Sequence, residues 1–282
     1  MLSESLEYLA IRPDGVYVDA TAGLGGHTAA IARRLVTGRV IACDRDAESL
    51  ELARRNAAEW ADRIHFQHAR FSELRAALHS LGIERVDGLL ADLGVSRYQL
   101  TEPERGFSLA VSGPLDMRMD RSHGTTAAEL VDTISEKDLA DTIFYLGEER
   151  RARQIARAIV RSRPIRDTAH LARVVEGAAR RTGRVHPATQ TFMALRRAVN
   201  GEREELDALL ADLPELVASG GRVVAITFMS LEDRQVKEAF RNFAQRGLVR
   251  LLNKHVLTPS EEETRSNPPS RSAKLRALEF NS

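Results

Sequence analysis

Two acids and three glycines near the N-terminus are the first residues whose spacing suggests chemistry. In "GVYVDATAGLGGHTAAIARRL", residues 15–35, an alternating apolar run ends at Asp19, glycines follow at Gly23, Gly25 and Gly26, and a helix-like pattern comes next. Strand, glycine turn and helix cradle nucleotides, because glycine reaches backbone angles closed to other residues and lets a ligand approach the chain. A phosphate-binding loop needs Gly-Lys-Ser or Gly-Lys-Thr after the glycines, and the chain contains neither tripeptide. A dinucleotide fingerprint needs a third small residue, where this chain has Thr28. The remaining reading is a cradle for S-adenosylmethionine. Asp19 ends the first strand, and Asp44 ends the second, nineteen residues past Gly25. A carboxylate at that second place can accept both hydroxyls of a ribose. Asp46 is an alternative to Asp44 for this task, and Asp19 is also suited simply to capping the turn.

These side chains need a sheet to hold them. Strand patterns occur at 16–20, 39–44, 64–69 and 86–93, separated by helical patterns, and the fourth is apolar on both faces. Such strands belong in a parallel sheet covered on both sides. From about Thr101 to Ser219 no strand is expected. A loop rich in Gly and Pro, "TEPERGFSLAVSGPLDMRMDRSHG", leads into helical patterns from "TAAELVDTI" to "TAHLARVVEGAAR" and then a helix pair bent near Gly201. Alternation resumes with a fifth strand at 220–228, a helix, and two closing strands in "LVRLLN" and "AKLRALEF". The expected architecture is α/β, with residues 1–104 and 201–282 forming the sheet domain and 105–200 an inserted all-helical domain.

Composition narrows the function classes. The chain has 282 residues, 43% hydrophobic and 29% charged, and no apolar run long enough to span a membrane. Its single cysteine, Cys43, sits in an apolar strand and cannot form an internal disulfide, which fits a reducing cytoplasm. No group of Cys, His and carboxylate has metal-ligand spacing, so no metal is expected. The net charge of +1 is uneven: thirteen arginines face four acids between Tyr145 and Asn200, leaving +9 there and −8 elsewhere. A basic module in an acidic body fits a polyanionic partner such as nucleic acid. Arg153 and Arg157 lie on the basic face of one predicted helix and suit phosphate contacts. In "GPLDMRMD", Arg118 between Asp116 and Asp120 fits either an RNA-facing loop or an internal ion-pair lock.

Nine stretches together resemble one family: "DATAGLGGHT", "CDRDAESL", "ADLGVS", "ERGFSL", "GPLDMRMD", "YLGEERRARQIARAIV", "HPATQTFMALRRAVN", "GGRVVAITFMSLEDRQVK" and "NPPSRSAKLR". It is the bacterial small-subunit ribosomal RNA cytosine-N4 methyltransferase family, and the resemblance runs in order from Ile11 to Arg276. It implies a class I S-adenosylmethionine-dependent methyltransferase fold, Rossmann-like, with a helical insertion, acting on a cytidine of the decoding region. Its substrate would be ribosomal RNA within an assembled or nearly assembled small subunit. The implied cofactor contacts are Gly25, Gly26, His27, Asp44, Phe71, Asp92 and Gln99. Asp92, ending the fourth strand, is the expected catalytic acceptor for a hydrogen of the target amine. Amine methyltransferases often place an aromatic residue after the motif acid. Here Val95 follows in "DLGV", so Tyr98 or Phe107 is expected to stack on the base instead. The family usually has His where Met229 stands, and an upstream segment with His and Val-Leu is missing from this sequence. Those departures open an alternative, a catalytically weak relative that binds RNA as a ribosome-assembly factor.

Overall fold

The computed structural model describes residues 1–179 and 186–281. The end of the "TAHLARVVEGAAR" pattern and three of the counted arginines, Arg180, Arg181 and Arg184, lie outside the described residues. The chain divides into two compact units, Met1–Gly94 with Arg203–Ser282, and Val95–Glu202. The expectation drawn from the sequence had placed the first of these boundaries at 104/105.

The first unit opens with α1 (Leu2–Leu9), β1 (Val16–Asp19), α2 (Gly26–Ala32), β2 (Arg39–Asp44), α3 (Ala47–Asn56), β3 (Ile64–His68), α4 (Leu74–Ser80) and β4 (Val86–Asp92). In the second unit follow α5 (Arg97–Thr101), α6 (Ala127–Thr133), α7 (Glu136–Gly147), α8 (Ala152–Arg161), α9 (Thr168–Ala178) and α10 (Thr189–Asn200). The chain then returns through α11 (Glu202–Leu216), β5 (Val217–Thr227), α12 (Ser230–Gln245), β6 (Val249–Leu251), α13 (Glu261–Ser266) and β7 (Lys274–Phe280).

The strands form one seven-stranded sheet in the order β3-β2-β1-β4-β5-β7-β6. Neighbours from β3 to β5 are parallel, and β7 runs antiparallel to both β5 and β6. Side chains alternate across the sheet with the period of two that strands impose. Val18, Ile41, Leu89 and Val223 join one apolar cluster with Leu209, Leu213, Val236 and Phe240. Their sequence neighbours Tyr17, Val40, Leu90 and Val224 join another, with Leu9, Ile31 and Leu275. Burial on both faces explains why these strands read as nearly continuous apolar runs.

One strand differs from its expected bounds. β5 begins at Val217, three residues earlier than expected, pairing there with Val86 before the register shifts and Gly88 meets Arg222. The intervening Gly220 has φ +74°, and its neighbour is Gly221. A glycine pair that bulges out of the ladder disguises the strand start in sequence.

The helical unit has its own core, in which Val131, Leu139, Ile143, Ile155, Ile159, Leu171 and Leu195 are fully buried. Its helices start where polar caps sit: Thr126 for α6, Ser135 for α7 and Asp167 for α9 each accept from the helix's first-turn N–H groups. Gly201, at φ 55°, makes the bend expected between α10 and α11. Among the described residues no helix is long and apolar enough to cross a membrane.

Candidate active site

The topology singles out one position. Beyond β1 the chain builds the sheet outward to β2 and β3, and β4 then joins on the opposite side of β1. Ligands in such sheets bind outside the carboxyl ends of the strands at that reversal. Asp19 ends β1, Asp44 ends β2 and Asp92 ends β4, so three carboxylates stand on this edge.

Hydrogen bonds tie the edge together. The Asp19 side chain, fully buried, accepts from the Thr28 hydroxyl at 2.6 Å and from the Thr21 N–H at 3.2 Å. The Thr21 hydroxyl in turn accepts the Asp92 N–H at 2.7 Å. Asp44 accepts the Gly23 N–H on one oxygen at 2.7 Å and the Asp46 N–H on the other at 2.9 Å. Each of its oxygens therefore keeps a lone pair for another donor. Asp46 caps α3 through the N–H groups of Glu48 and Ser49 and is almost wholly buried. That capping task commits Asp46 to its helix and leaves Asp44 as the acid on the loop.

Gly25 has φ +87°, and a side chain there would also press on the Ala53 backbone at 3.1 Å, so no other residue fits easily. Gly26 begins α2 and helps line a concavity of about 860 Å³ beside Leu2, Leu6, Arg33 and Trp60. That concavity does not include Asp44 or Asp92 in its lining.

His27 Nδ1 lies 3.6 Å from Asp92 Oδ2, too long for a hydrogen bond but close enough for the charges to interact. His27 Nε2 and Asp92 Oδ1 are both shielded from solvent without a hydrogen-bond partner. Unpaired buried polar atoms are costly, and a pair of them beside a glycine turn fits a ligand that supplies the missing partners. Burial pushes the His27 imidazole below its ordinary range, against the pull of Asp92. Burial likewise raises the Asp92 carboxyl, with His27 opposing. Asp44 and Asp19 are each pushed up to about 6, mainly by burial. Backbone N–H groups hold Asp44 down only in part, while the Thr28 and Thr21 donors do the same for Asp19. Burial also drives the Cys43 thiol upward, so it is no nucleophile.

Other expected residues have different settings. Phe71 opens a short 3-10 turn and packs, half-buried, against the main core cluster. Gln99 lies in the helical unit, buried, where its side-chain oxygen accepts the Ser96 N–H at 2.9 Å in a capping box. Phe107 is buried in the helical core, and the Arg105 guanidinium sits 5.9 Å from its ring and 5.8 Å from that of Tyr98. Arg105 itself is buried and donates to the carbonyls of Arg118 and Met119. Arg118 grips Asp116 with two bonds, at 2.7 and 3.0 Å, so the "GPLDMRMD" loop holds itself shut by an ion-pair lock. Arg153 and Arg157 are both exposed on α8, and Arg157 approaches Glu136 at 3.4 Å. Met229 is buried at the start of α12. Thr21 and Thr28 are the residues that sequence reasoning missed. Their signal in the sequence was spacing alone, hydroxyls two and nine residues after Asp19.

Comparisons with known proteins identify its relatives. A "Ribosomal RNA small subunit methyltransferase H" of Solibacter usitatus is 63% identical over 280 residues, covering 99% of this chain and 98% of that protein. A protein of the same description from Koribacter versatilis is 49% identical over 286 residues, covering 97% of this chain and 90% of its own. Among solved structures, an rRNA-methylase candidate from Clostridium thermocellum superposes with a TM-score of 0.52 at 12% identity, covering 99% of this chain and 96% of that one, a likeness of fold alone. The fold is that of class I S-adenosylmethionine-dependent methyltransferases. The profile of the MraW methylase family matches residues 1–281, and the chain belongs to that family.

Proposed function

We propose that this chain transfers the methyl group of S-adenosylmethionine to the exocyclic N4 of a cytidine in the decoding region of small-subunit ribosomal RNA, working in the cytoplasm on an assembled or nearly assembled subunit. The observation that carries the reading is Asp92. It ends the strand beside the topological switch point, its Oδ1 is shielded and unpartnered, and its backbone is tied to the glycine loop. Family membership and the names of the relatives supply the substrate class.

The residues fit the cofactor. Asp44 presents two carboxylate oxygens suited to a ribose diol, and the Gly23–Gly26 turn lets a ligand pass close to the backbone. S-adenosylmethionine, when bound, supplies an electrophilic methyl group on a positively charged sulfur. A cytosine amine is a poor nucleophile because its lone pair is delocalised into the ring. Asp92 would accept a hydrogen from that amine, hold the lone pair in line, and take the proton released as the N–C bond forms and the S–C electron pair stays on sulfur. A carboxylate made more basic by burial suits that role. His27, kept neutral by burial, adds no positive charge beside a cationic donor. The helical unit supplies the RNA-binding surface through exposed arginines, Arg153 and Arg157 among them, which position phosphates without reading sequence.

Labelled S-adenosylmethionine incubated with small subunits lacking the modification, followed by nucleoside mass spectrometry, tests the function. Label on N4 of a ribosomal cytidine is the expected result. The buried Met229, where the family usually has His, favours one competing reading, an assembly factor. Donor binding without any transfer would establish that reading instead. Replacing Asp92→Asn should lower turnover by about 10²-fold or more, without loss of thermal stability, since a strained buried carboxyl is removed. Unchanged turnover would take Asp92 out of the mechanism.

Asp44, with a carboxyl raised to about 6, predicts a pH dependence. The ionised form accepts the ribose hydroxyls, so donor affinity should be level above that pH and fall as the carboxyl protonates below it. Titration calorimetry from pH 5 to 8 measures this, and Asp44→Asn should bind roughly tenfold or more weakly with the pH dependence gone. For the RNA surface, Arg153→Gln with Arg157→Gln should reduce the slope of log affinity against log salt by about 1–2. An unaltered slope would mark those arginines as solvated surface only.

A further inference from the structure

We propose that Thr21 is a positioning residue for methyl transfer, through which the buried Asp19 fixes where Asp92 stands. This inference rests on the functional reading above and adds a residue that the family resemblance did not assign.

The argument begins with what Asp19 lacks. It is fully buried, and among the described residues no cation pairs with it. Its partners are two threonines from opposite sides of the site. Thr28, in α2, donates its hydroxyl at 2.6 Å, and Thr21, in the loop after β1, donates its N–H at 3.2 Å. The Thr21 hydroxyl serves the end of β4. The same hydroxyl oxygen accepts the Asp92 N–H at 2.7 Å. Asp19 holds the Thr21 backbone, and the Thr21 hydroxyl in turn holds the Asp92 N–H.

Two arms therefore leave one carboxylate. One runs through Thr28 to the first turn of α2, where His27 precedes it in sequence. The other runs through Thr21 to the end of β4, where Asp92 stands. The 3.6 Å separation of His27 Nδ1 from Asp92 Oδ2 is the distance these two arms span. In-line transfer between positioned groups is sensitive to displacements of an ångström or less. Leu90 O accepts the Ala20 N–H and Ile226 O accepts the Leu93 N–H, so the backbone on either side of Asp92 is held by the sheet. The Asp92 N–H is the group on this turn that the loop holds through a side chain. Thr21 touches neither of the carboxylate atoms expected to meet the amine, and it acts through the backbone alone.

The test compares Thr21→Val, which keeps the shape and removes the hydroxyl, with Thr21→Ser, which keeps the hydroxyl. Turnover on small subunits, KM for the subunit, the donor dissociation constant by calorimetry and the thermal unfolding midpoint are measured for each. The expected result for Thr21→Val is a fall in kcat of about tenfold or more, with donor affinity and KM within about twofold of the unsubstituted chain. Thr21→Ser should restore most of the lost turnover. A Thr21→Val enzyme that turns over normally overturns the proposal. So does a Ser variant as slow as the Val variant, or a kcat loss matched by an equal loss of donor binding, which would mean general collapse of the loop. If Val disturbs folding, Thr21→Ala is judged by the same criteria, and failure of both to fold would make the hydroxyl a stability element and overturn the assignment. Absence of any transfer by the unsubstituted chain is a separate outcome, which removes the functional reading and this proposal together.

Discussion

A carboxylate buried without a counter-ion is the constraint around which the sheet edge is organised. Asp19 sits at the end of β1 with no exposure, and burial raises its carboxyl to about 6. The shift has a definite sign for stability. A folded-state value above the ordinary carboxylate value of 3.8 means that the native chain binds the proton more tightly than the unfolded chain. Stability is then fully present at low pH, falls as the pH rises between those two values, and is reduced by on the order of 3 kcal/mol above them. Asp44 carries a similar penalty for the same reason. Two acids raised by burial on one sheet edge fit a ligand-binding site.

What the strain maintains is an edge with fixed geometry. Parallel strands buried on both faces put their carboxyl ends in register, as Val18 opposite Ile41 and Leu89 illustrates. That register aligns the ends of β1, β2 and β4 before any ligand arrives. The glycine turn then has to pass between Asp44 below Gly23 and Ala53 beside Gly25, a course available only at positive φ.

Much of this was legible in the sequence, and the gaps have physical causes. β1, β2 and β4 announced themselves because burial on both faces demands apolar runs, and the edge strand β3 showed instead as an alternation. The start of β5 did not, because the Gly220–Gly221 bulge breaks the pattern that defines a strand. Asp44 and Asp46 were hard to separate by spacing, since one ends the second strand and the other stands two residues beyond it. Only the cap hydrogen bonds to Glu48 and Ser49 separate a helix start from a ligand acceptor. The helical unit shows the same limit. Sequence counts its arginines but not their engagements: Arg163 is spent on the Val131 and Ile134 carbonyls and Arg196 on Glu202, whereas Arg153 stays exposed. Phe107 has the composition of a stacking residue and the burial of a core residue, and burial is a tertiary property.

The His27 and Asp92 pair shows why the charge state of this edge follows from burial rather than from pairing. An exposed imidazole and carboxylate 3.6 Å apart would raise and lower each other toward a zwitterion. Here burial is the larger influence on both and acts against the charged form of each. The imidazole therefore stays neutral near pH 7. The carboxylates are then the charged groups left on the edge, on Asp44, Asp19 and, to an extent set by its surroundings, Asp92. An edge that is anionic and poorly solvated would attract a sulfonium cation. Once the methyl group has left, the neutral thioether loses that attraction. The same arrangement would favour the sulfonium donor over the product, whose sulfur is neutral.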